Sequence, residues 1–545
     1  MLFLCGKSYL MRYLPILLAI CLATSCALKQ KQYAADPYPS LDHVPQLTDQ
    51  QMRADYDSLV SYIRQVSPVI YFNQEVRQIH FERYASQLRK QIKPGMGMGA
   101  YLCIVEQTFN AAQDGHSNRL GSWQLDIMKS NWIPNGLVKN IDTASISYGY
   151  QYEKYANQNF SAKLDLNLAY TNGEYYNLLP FAYKGQNYPA GMKVLYCNGM
   201  PVHQFVGKEI TAISPLRWDR QYKRVYHERF YRPLQVFNQG QLKLVFKDDR
   251  EQQHQLTIGY SDTLQFTQKI VHPFGYNGEQ EPLTTHYFER EKIFYARLPL
   301  MIEAYGDSLA KKFSELTAGN PVKAIVLDIR GNGGGSDNTY ANFLGKVMSD
   351  TLKQDVVVGR NFSPYNQKQF KVNTDSVKHK KGFSFKVDVA TLKTPRMYFI
   401  SIPGFKFVTP DSLNAGFKGK VYLLQDRFIY SSASNLSNLA SKNDQLVSIG
   451  ETPNLLGGLQ TNPSILQLPY SKIIFRIEPQ IDFTGAKKPA DAFQNHVEYP
   501  VAYTIEELKE RVTTAKPIYG RDFLYQSDPM FKKVLQLEQA DSSQP

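Results

Sequence analysis

Apolar and polar positions first fall into a helical rhythm at Asp55. In DYDSLVSYIRQVSPVIY, Tyr56, Leu59, Val60 and Ile63 share one face, which predicts an amphipathic helix. A second helical run ends in GAYLCIVEQTFNAAQ and stops at DGHS, Asp114 to Ser117. Residues 46–135 therefore read as a helical region. Tyr and Phe then alternate with polar residues through SISYGYQYEKYANQNFSAKLDLNLAY, and the alternation predicts a β-rich connector over 136–185. Residues 186–262 read as a small β-rich module. A strand runs into the Asn198-Gly199 turn, another apolar run follows, and QLKLVFKDD and HQLTIGY add two strands. From 285 to 520 strands alternate with helices: KIFYARLPL, SLAKKFSEL, KAIVLDIR, TYANFLGKVMSD, KVYLLQD, SASNLSNLASK, QLVSIGE. Such alternation predicts a largely parallel sheet with its site beyond the strand C-termini. Residues 521–545, polar from about Asp528, read as a loose tail. No internal repeat is visible.

The N-terminus changes the picture of where this chain works. Lys7 and Arg12 precede the apolar run LPILLAICL, too short to span a bilayer, and ATSC follows at Ala23–Cys26. ATSC resembles a bacterial lipobox, so residues 1–25 are expected to be a lipoprotein signal peptide and Cys26 the lipidated residue. Met11 is an alternative start that gives a more usual signal length. Residues 26–45, polar and proline-containing, form a tether. ALKQKQ after Cys26 holds no early acid, which by analogy with lipoprotein sorting points to an outer-membrane anchor facing the periplasm.

Composition narrows the classes further. Charged residues make up 20% of the chain and hydrophobic residues 43%, a globular balance. Loss of the signal removes Lys7 and Arg12 and lowers the net charge from +13 to about +11. These charges are dispersed, so nucleic acid is not an expected partner. Cys103 and Cys197 then remain as the thiols; neither lies in a metal-spaced pair, so no disulfide framework, metal or cofactor is expected.

Three short stretches carry candidate chemistry. LDIRGNGGGS runs a buried strand into glycines whose amides can point one way and hold an anion. A phosphate loop would end in Gly-Lys-Ser/Thr; here Ser336 and Asp337 follow Gly335, which favours an oxyanion over a phosphate. YSSASN places Ser431, Ser432 and Ser434 where a strand meets a helix. Capping is the ordinary role of serine there, although a nucleophile would also gain from the helix N-terminus. DGHS offers His116 in a polar turn, either a surface histidine or a general base.

Taken together, LDIRGNGGGS, then SAS, then IGET resemble the tail-specific, or C-terminal processing, serine peptidases. That family reads Asp-x-Arg-x-Asn-x-Gly-Gly, Ser-Ala-(Ser/Ala)-Glu and Gly-Glu-(Thr/Pro), and carries Asp-Gly-His-(Ser/Thr) in its N-terminal helical region. One branch takes a Lys just after Gly-Glu-Pro-Thr. Here GETPNLLGG has Leu455, Leu456 and Gly457 there, and no Lys occurs between Lys442 and Lys472. The chain thus resembles the His-base branch, typified by the tricorn core and the interphotoreceptor retinoid-binding protein modules.

The resemblance implies a multidomain α+β chain: an N-terminal helical region, a PDZ-like module over 186–262 and an α/β core of the ClpP/crotonase type. It implies Ser432 as nucleophile, His116 as base, and Gly333, Gly334 and the Ala433 amide as the oxyanion hole. Ser117 would support His116. Glu498 in HVEYP is the expected supporting acid, with Asp491 the runner-up. Asn435 stands where the family has Glu, which leaves two functions open. One is a lipid-anchored envelope peptidase acting on peptide or protein substrates. The other is a degenerate peptidase-fold lipoprotein that binds peptides or small apolar ligands.

Overall fold

The computed structural model describes residues 38–542 except 139–140, 272, 274–282, 372–396, 454–462 and 494–496. The signal segment, Cys26, most of the tether and the Leu455–Gly457 stretch lie outside the described residues.

Four helices open the chain: α1 (Asp49–Val66), α2 (Val69–Arg77), α3 (Phe81–Arg89) and α4 (Met98–Ala112). Thr48 and Gln51 close a capping box at the start of α1. The predicted face of α1 is buried, and with it Asp55, whose carboxylate accepts the Tyr470 and Ser471 amides at 2.8 and 2.6 Å. α4 ends at Gln113, in the left-handed conformation with φ 53. The chain then turns through DGHS into β1 (Asn118–Arg119).

The connector departs from its alternating pattern. After α5 (Ser122–Ile127), residues Ile146–Asn159 form α6 rather than strands. Ile146, Gly149, Tyr152 and Tyr155 are its buried positions, so the tyrosines that suggested a period of two also satisfy a helical period. Packing on the N-terminal helices decided between the two.

The small module is an antiparallel sheet built from β2 (Leu168–Thr171), β3 (Glu174–Asn177), β4 (Lys193–Cys197), β5 (Gln241–Lys247) and β6 (Gln253–Gly259), in the order β6-β5-β4-β3-β2. Asn198 and Gly199 both take positive φ, 48 and 77, as a tight hairpin turn requires. The apolar run after that turn forms α7 (Val202–Lys208). Arg427 ties this module to the core, lying 3.4 Å from Glu228 and 3.8 Å from Glu451.

The core sheet has the order β7-β8-β9-β12-β13-β17. Its strands are β7 (Thr284–Phe288), β8 (Ile293–Arg297), β9 (Ala324–Asp328), β12 (Lys420–Gln425), β13 (Leu446–Gly450) and β17 (Tyr499–Pro500). All neighbours are parallel except β7 and β8. β9 and β13 are buried at every position, which is why they read as unbroken apolar runs. α8 (Glu303–Thr317), α9 (Asp337–Val347) and α10 (Ser432–Ala440) cover one face through Leu309, Phe343, Leu344 and Leu436. α11 (Ile505–Thr513), α12 (Arg521–Gln526) and α13 (Pro529–Ser542) cover the other. A buried aliphatic or aromatic side chain in such a layer contributes about 1.5–3 kcal/mol.

The expected loose tail is therefore a pair of docked helices. Met530, Phe531 and Val534 are fully buried, and Asp528 accepts hydrogen bonds from Arg330 and Arg511 at 2.5 and 2.8 Å. Arg330 lies 198 residues away in sequence, which hid the anchor. Four smaller sheets complete the fold among the described residues, and two of them bear on the site. β10 (Leu352–Asn361) lies between β11 (Met397–Val408) and β16 (Gln480–Asp482), and β15 (Ile474–Ile477) lies between β1 and β14 (Ser464–Gln467). Pairing of Asn118 with Arg476 carries the DGHS turn to the core. Among the described residues no helix is long and apolar enough to cross a membrane.

Candidate active site

β9 ends at Asp328, and its charge is neutralised by its neighbours. Burial alone would raise this carboxyl, but Arg330 and Arg297 beside it hold it below its ordinary value. Arg330 in turn bridges Asp328 and Asp528, so the base of the glycine loop is fixed from both sides. Asn332 then staples the loop. Its amide group donates to Leu298 O at 2.8 Å, its side-chain oxygen accepts the Gly334 amide at 2.8 Å, and its own carbonyl accepts the Tyr430 amide at 3.0 Å.

The glycines are required where the loop meets the serine turn. Gly334 has φ 103, and a Cβ there would lie 2.6 Å from Ser431 Cβ and 2.7 Å from Tyr430 O. Gly333 faces open space, with nothing within 4 Å of an added Cβ. Its amide makes no hydrogen bond among the described residues. Two of the three expected oxyanion donors are engaged in this structure: Gly334 by Asn332, and the Ala433 amide by Tyr430 O at 3.1 Å.

The three serines separate into distinct environments. Ser431 stands at φ 52, ψ −123 and its side chain makes no capping hydrogen bond. A non-glycine residue in that region costs about 1–3 kcal/mol and persists only where surrounding structure enforces it. Ser432 begins α10, is 2% exposed, and its Oγ makes no hydrogen bond among the described residues. The Asp337 carboxylate is near. Burial raises the Asp337 carboxyl, while Ser432 and Asn435 oppose that shift. Asn435 Nδ2 donates to both Asp337 oxygens at 3.1 and 3.0 Å. A glutamate at 435, as in the family pattern, would face that carboxylate with like charge; the amide removes the conflict.

His116 reaches this turn from the other end of the chain. Its Nδ1 lies 2.5 Å from the Tyr430 hydroxyl, and the two rings stack at 4.4 Å and 19°. Burial, then the Arg476 guanidinium, push its pKa well below the ordinary 6.5. The turn is braced by Asp114, which accepts the His116 amide at 3.0 Å and the Ser117 hydroxyl. Ser117 Oγ also accepts the Glu478 amide at 3.0 Å, so Ser117 anchors the turn and makes no hydrogen bond to the His116 ring.

Neither expected acid reaches His116. Glu498 sits beside β13 with its amide on Ser448, and its carboxylate makes no hydrogen bond among the described residues. Asp491 accepts the Lys487 and Lys488 amides at 3.1 and 3.2 Å and lies 3.8 Å from Arg220. Both stand after β16, whereas the strand that pairs with the histidine segment is β15. The carboxyl beside the DGHS turn is Glu478, 1% exposed, with Arg476 and the Gln480 backbone as the groups that favour its charged form. IIFRIEPQI carries the signal that marks it: a charged pair set within an apolar strand. Tyr430 and Asp337 gave no such signal, because their roles depend on partners distant in sequence.

Burial pushes Glu478 up to about 8; Arg476, 3.9 Å away, opposes the shift and Asp114 adds to it. A carboxyl raised above its unfolded value gives stability that is full below about pH 4.5 and is lost as pH rises toward 8. Glu478→Gln is expected to flatten that loss by on the order of 2–4 kcal/mol between about pH 5 and pH 8. Urea unfolding at the two pH values measures it, and an unchanged slope would contradict a buried neutral carboxyl.

A glycine loop with an open amide, a buried serine at a helix N-terminus behind a parallel strand, and a histidine docked on the same turn thus meet in one place. Residues 292–482 match the model of peptidase family S41. Among solved structures, mature CPAF aligns with a TM-score of 0.54 at 10% identity, covering 91% of this chain and 99% of CPAF. Mature CPAF complexed with lactacystin aligns at 0.53 and 10% identity, covering 90% and 99%. This likeness is one of fold. No curated protein matches the chain.

Proposed function

We propose that this chain is a peptidase of the bacterial cell envelope, tethered through lipidated Cys26 to the outer membrane on its periplasmic face. Ser432 Oγ attacks the peptide carbonyl while His116 takes its proton. The tetrahedral oxyanion is held by the Gly333 amide. His116 returns the proton to the departing amine, and water then releases the acyl group by the same route. The PDZ-like module over 186–262 would hold an extended substrate segment by strand addition.

One observation carries this reading: two segments 314 residues apart in sequence meet at the Tyr430–His116 contact, two residues from Ser432. A chain kept only as a scaffold has no need to bury an imidazole there. A second reading, a degenerate binder of peptides or small apolar ligands, rests on Ser432 Oγ lacking a bond to His116. A fluorophosphonate probe decides between them. Labelling is expected in the wild type, lost in Ser432→Ala and kept in Ser431→Ala. Wild-type protein that neither labels nor cleaves peptides would favour the binder.

A further inference from the structure

Elsewhere in the core, buried carboxylates meet cations: Asp328 and Asp528 share Arg330, and Glu538 lies 3.0 Å from Lys323. Two carboxylates beside the nucleophile do not. Asp337 and Asp482 form no ion pair among the described residues, and no cation is among the groups that act on either carboxyl. Unmatched negative charge in a partly buried place calls for a partner.

Both carboxylates are tied to the serine helix α10. Asn435 Nδ2 donates to the two Asp337 oxygens at 3.1 and 3.0 Å. Asn438 Nδ2, one turn further along, donates to Thr484 O at 3.4 Å, and the Thr484 amide donates to Asp482 at 2.9 Å. Ser432, Asn435 and Asn438 follow at intervals of three, so one side of α10 carries the nucleophile and both supports. The two acids feel each other: burial pushes Asp482 up to about 6, and Asp337 adds to that shift. Both residues are half-buried rather than sealed. Two buried hydroxyls also converge on Asp337, those of Ser432 and Tyr340, 2% and 0% exposed, and neither is hydrogen-bonded. Buried hydroxyls left unbonded around an unmatched carboxylate mark a place that is completed from outside.

We propose that Asp337 and Asp482 form a subsite for a basic side chain, so that peptides carrying lysine or arginine beside the scissile bond are the preferred substrates. The site holds surplus negative charge at rest. A tetrahedral oxyanion forming at Ser432 adds to it, and like charges at short range in a partly buried site repel. A substrate ammonium or guanidinium offsets the carboxylates and the oxyanion together. Its effect is therefore greatest in the transition state and appears in kcat as well as in KM. Arginine can meet a carboxylate through two hydrogen bonds, whereas lysine brings a point charge. Asn435 belongs to this arrangement: an amide there orients Asp337 without neutralising it, and leaves its charge for the substrate.

This inference rests on the peptidase reading with Ser432 as nucleophile, and its test separates the two. Full-length protein is incubated with denatured casein, and the cleavage sites are read by mass spectrometry. Cuts adjoining lysine or arginine are expected to dominate. Defined alanine-based peptides differing only in lysine or norleucine at one central position are then compared. Lysine is expected to be favoured at least roughly tenfold in kcat/KM. Asp482→Asn, which keeps the side chain's shape, is expected to lose most of that preference with the midpoint of unfolding retained, and Asp337→Asn to lose it as well. Cuts with no bias toward basic residues, or a lysine preference unchanged in both variants, would overturn the proposal. If the wild type cleaves nothing, binding decides. Ser432→Ala keeps both carboxylates and is expected to bind the lysine peptide more tightly than the norleucine peptide, with the difference lost when Asp482→Asn is added. Equal affinities would remove the subsite. A lysine preference in binding without any cleavage would remove the peptidase reading and leave the subsite standing.

Discussion

His116→Ala is expected to lower kcat/KM for peptide cleavage by roughly 10³–10⁴, the scale of a lost general base. The fold should survive, because Asp114, Ser117 and the Glu478 amide brace the turn without the ring. The wild-type pH profile should carry the same signature. Burial and Arg476 hold the His116 pKa well below 6.5, so the neutral ring persists as pH falls. The acid limb of kcat/KM is therefore expected below pH 6.5, with the Tyr430 hydroxyl at Nδ1 and the Arg476 guanidinium as the neighbouring cation. An acid limb at or above that value would mean that another group, or a hydrated His116, supplies the base. The imidazole's effect on stability runs the same way: a depressed His pKa gives stability that is lost as pH falls through 6.5.

Gly334→Ala should be the most damaging single methyl in the site. The new Cβ would meet Ser431 Cβ at 2.6 Å and Tyr430 O at 2.7 Å, both on the turn that aims Ser432. The backbone at φ 103 is also one that alanine rarely adopts. Strain and overpacking together are expected to cost about 2–5 kcal/mol and to abolish labelling at Ser432. Gly333→Ala, one residue away, meets open space and should shift the unfolding midpoint little. Thermal unfolding of the pair is a sharp comparison, since equal losses would show that the loop is not packed on the serine turn.

What the chain reveals before folding depends on how local each signal is. β9 and the glycines after it are legible because a fully buried parallel strand must be apolar throughout and the loop must turn at once. Ser432 and His116 are legible through short motifs whose chemistry needs those residue types. Ile146–Asn159 misleads because tyrosines spaced for a helix also alternate, and only the N-terminal helices select the burial. The last helices misread because Asp528 looks like a surface acid until Arg330 and Arg511 reach it. The acid is the clearest case. Glu498 and Asp491 were expected from the family resemblance, yet β1 pairs with β15, so the carboxyl brought to the histidine turn is Glu478. Strand pairing is a non-local choice, and no window of sequence contains it.

The pairing of Asn118 with Arg476 has a consequence in time as well as in space. His116 is synthesised early and Ser432 late, with a separation of 314 residues between His116 and Tyr430. On the ribosome, a chain that has emerged only as far as the small module owns a histidine with nothing to activate. One that has just completed α10 still lacks β15 to hold the histidine turn. Contacts of such high sequence separation form slowly and near the end of folding. A hydrolase assembled this way stays chemically silent while it is being translated, and gains its reactivity only once Asn118 has paired with Arg476.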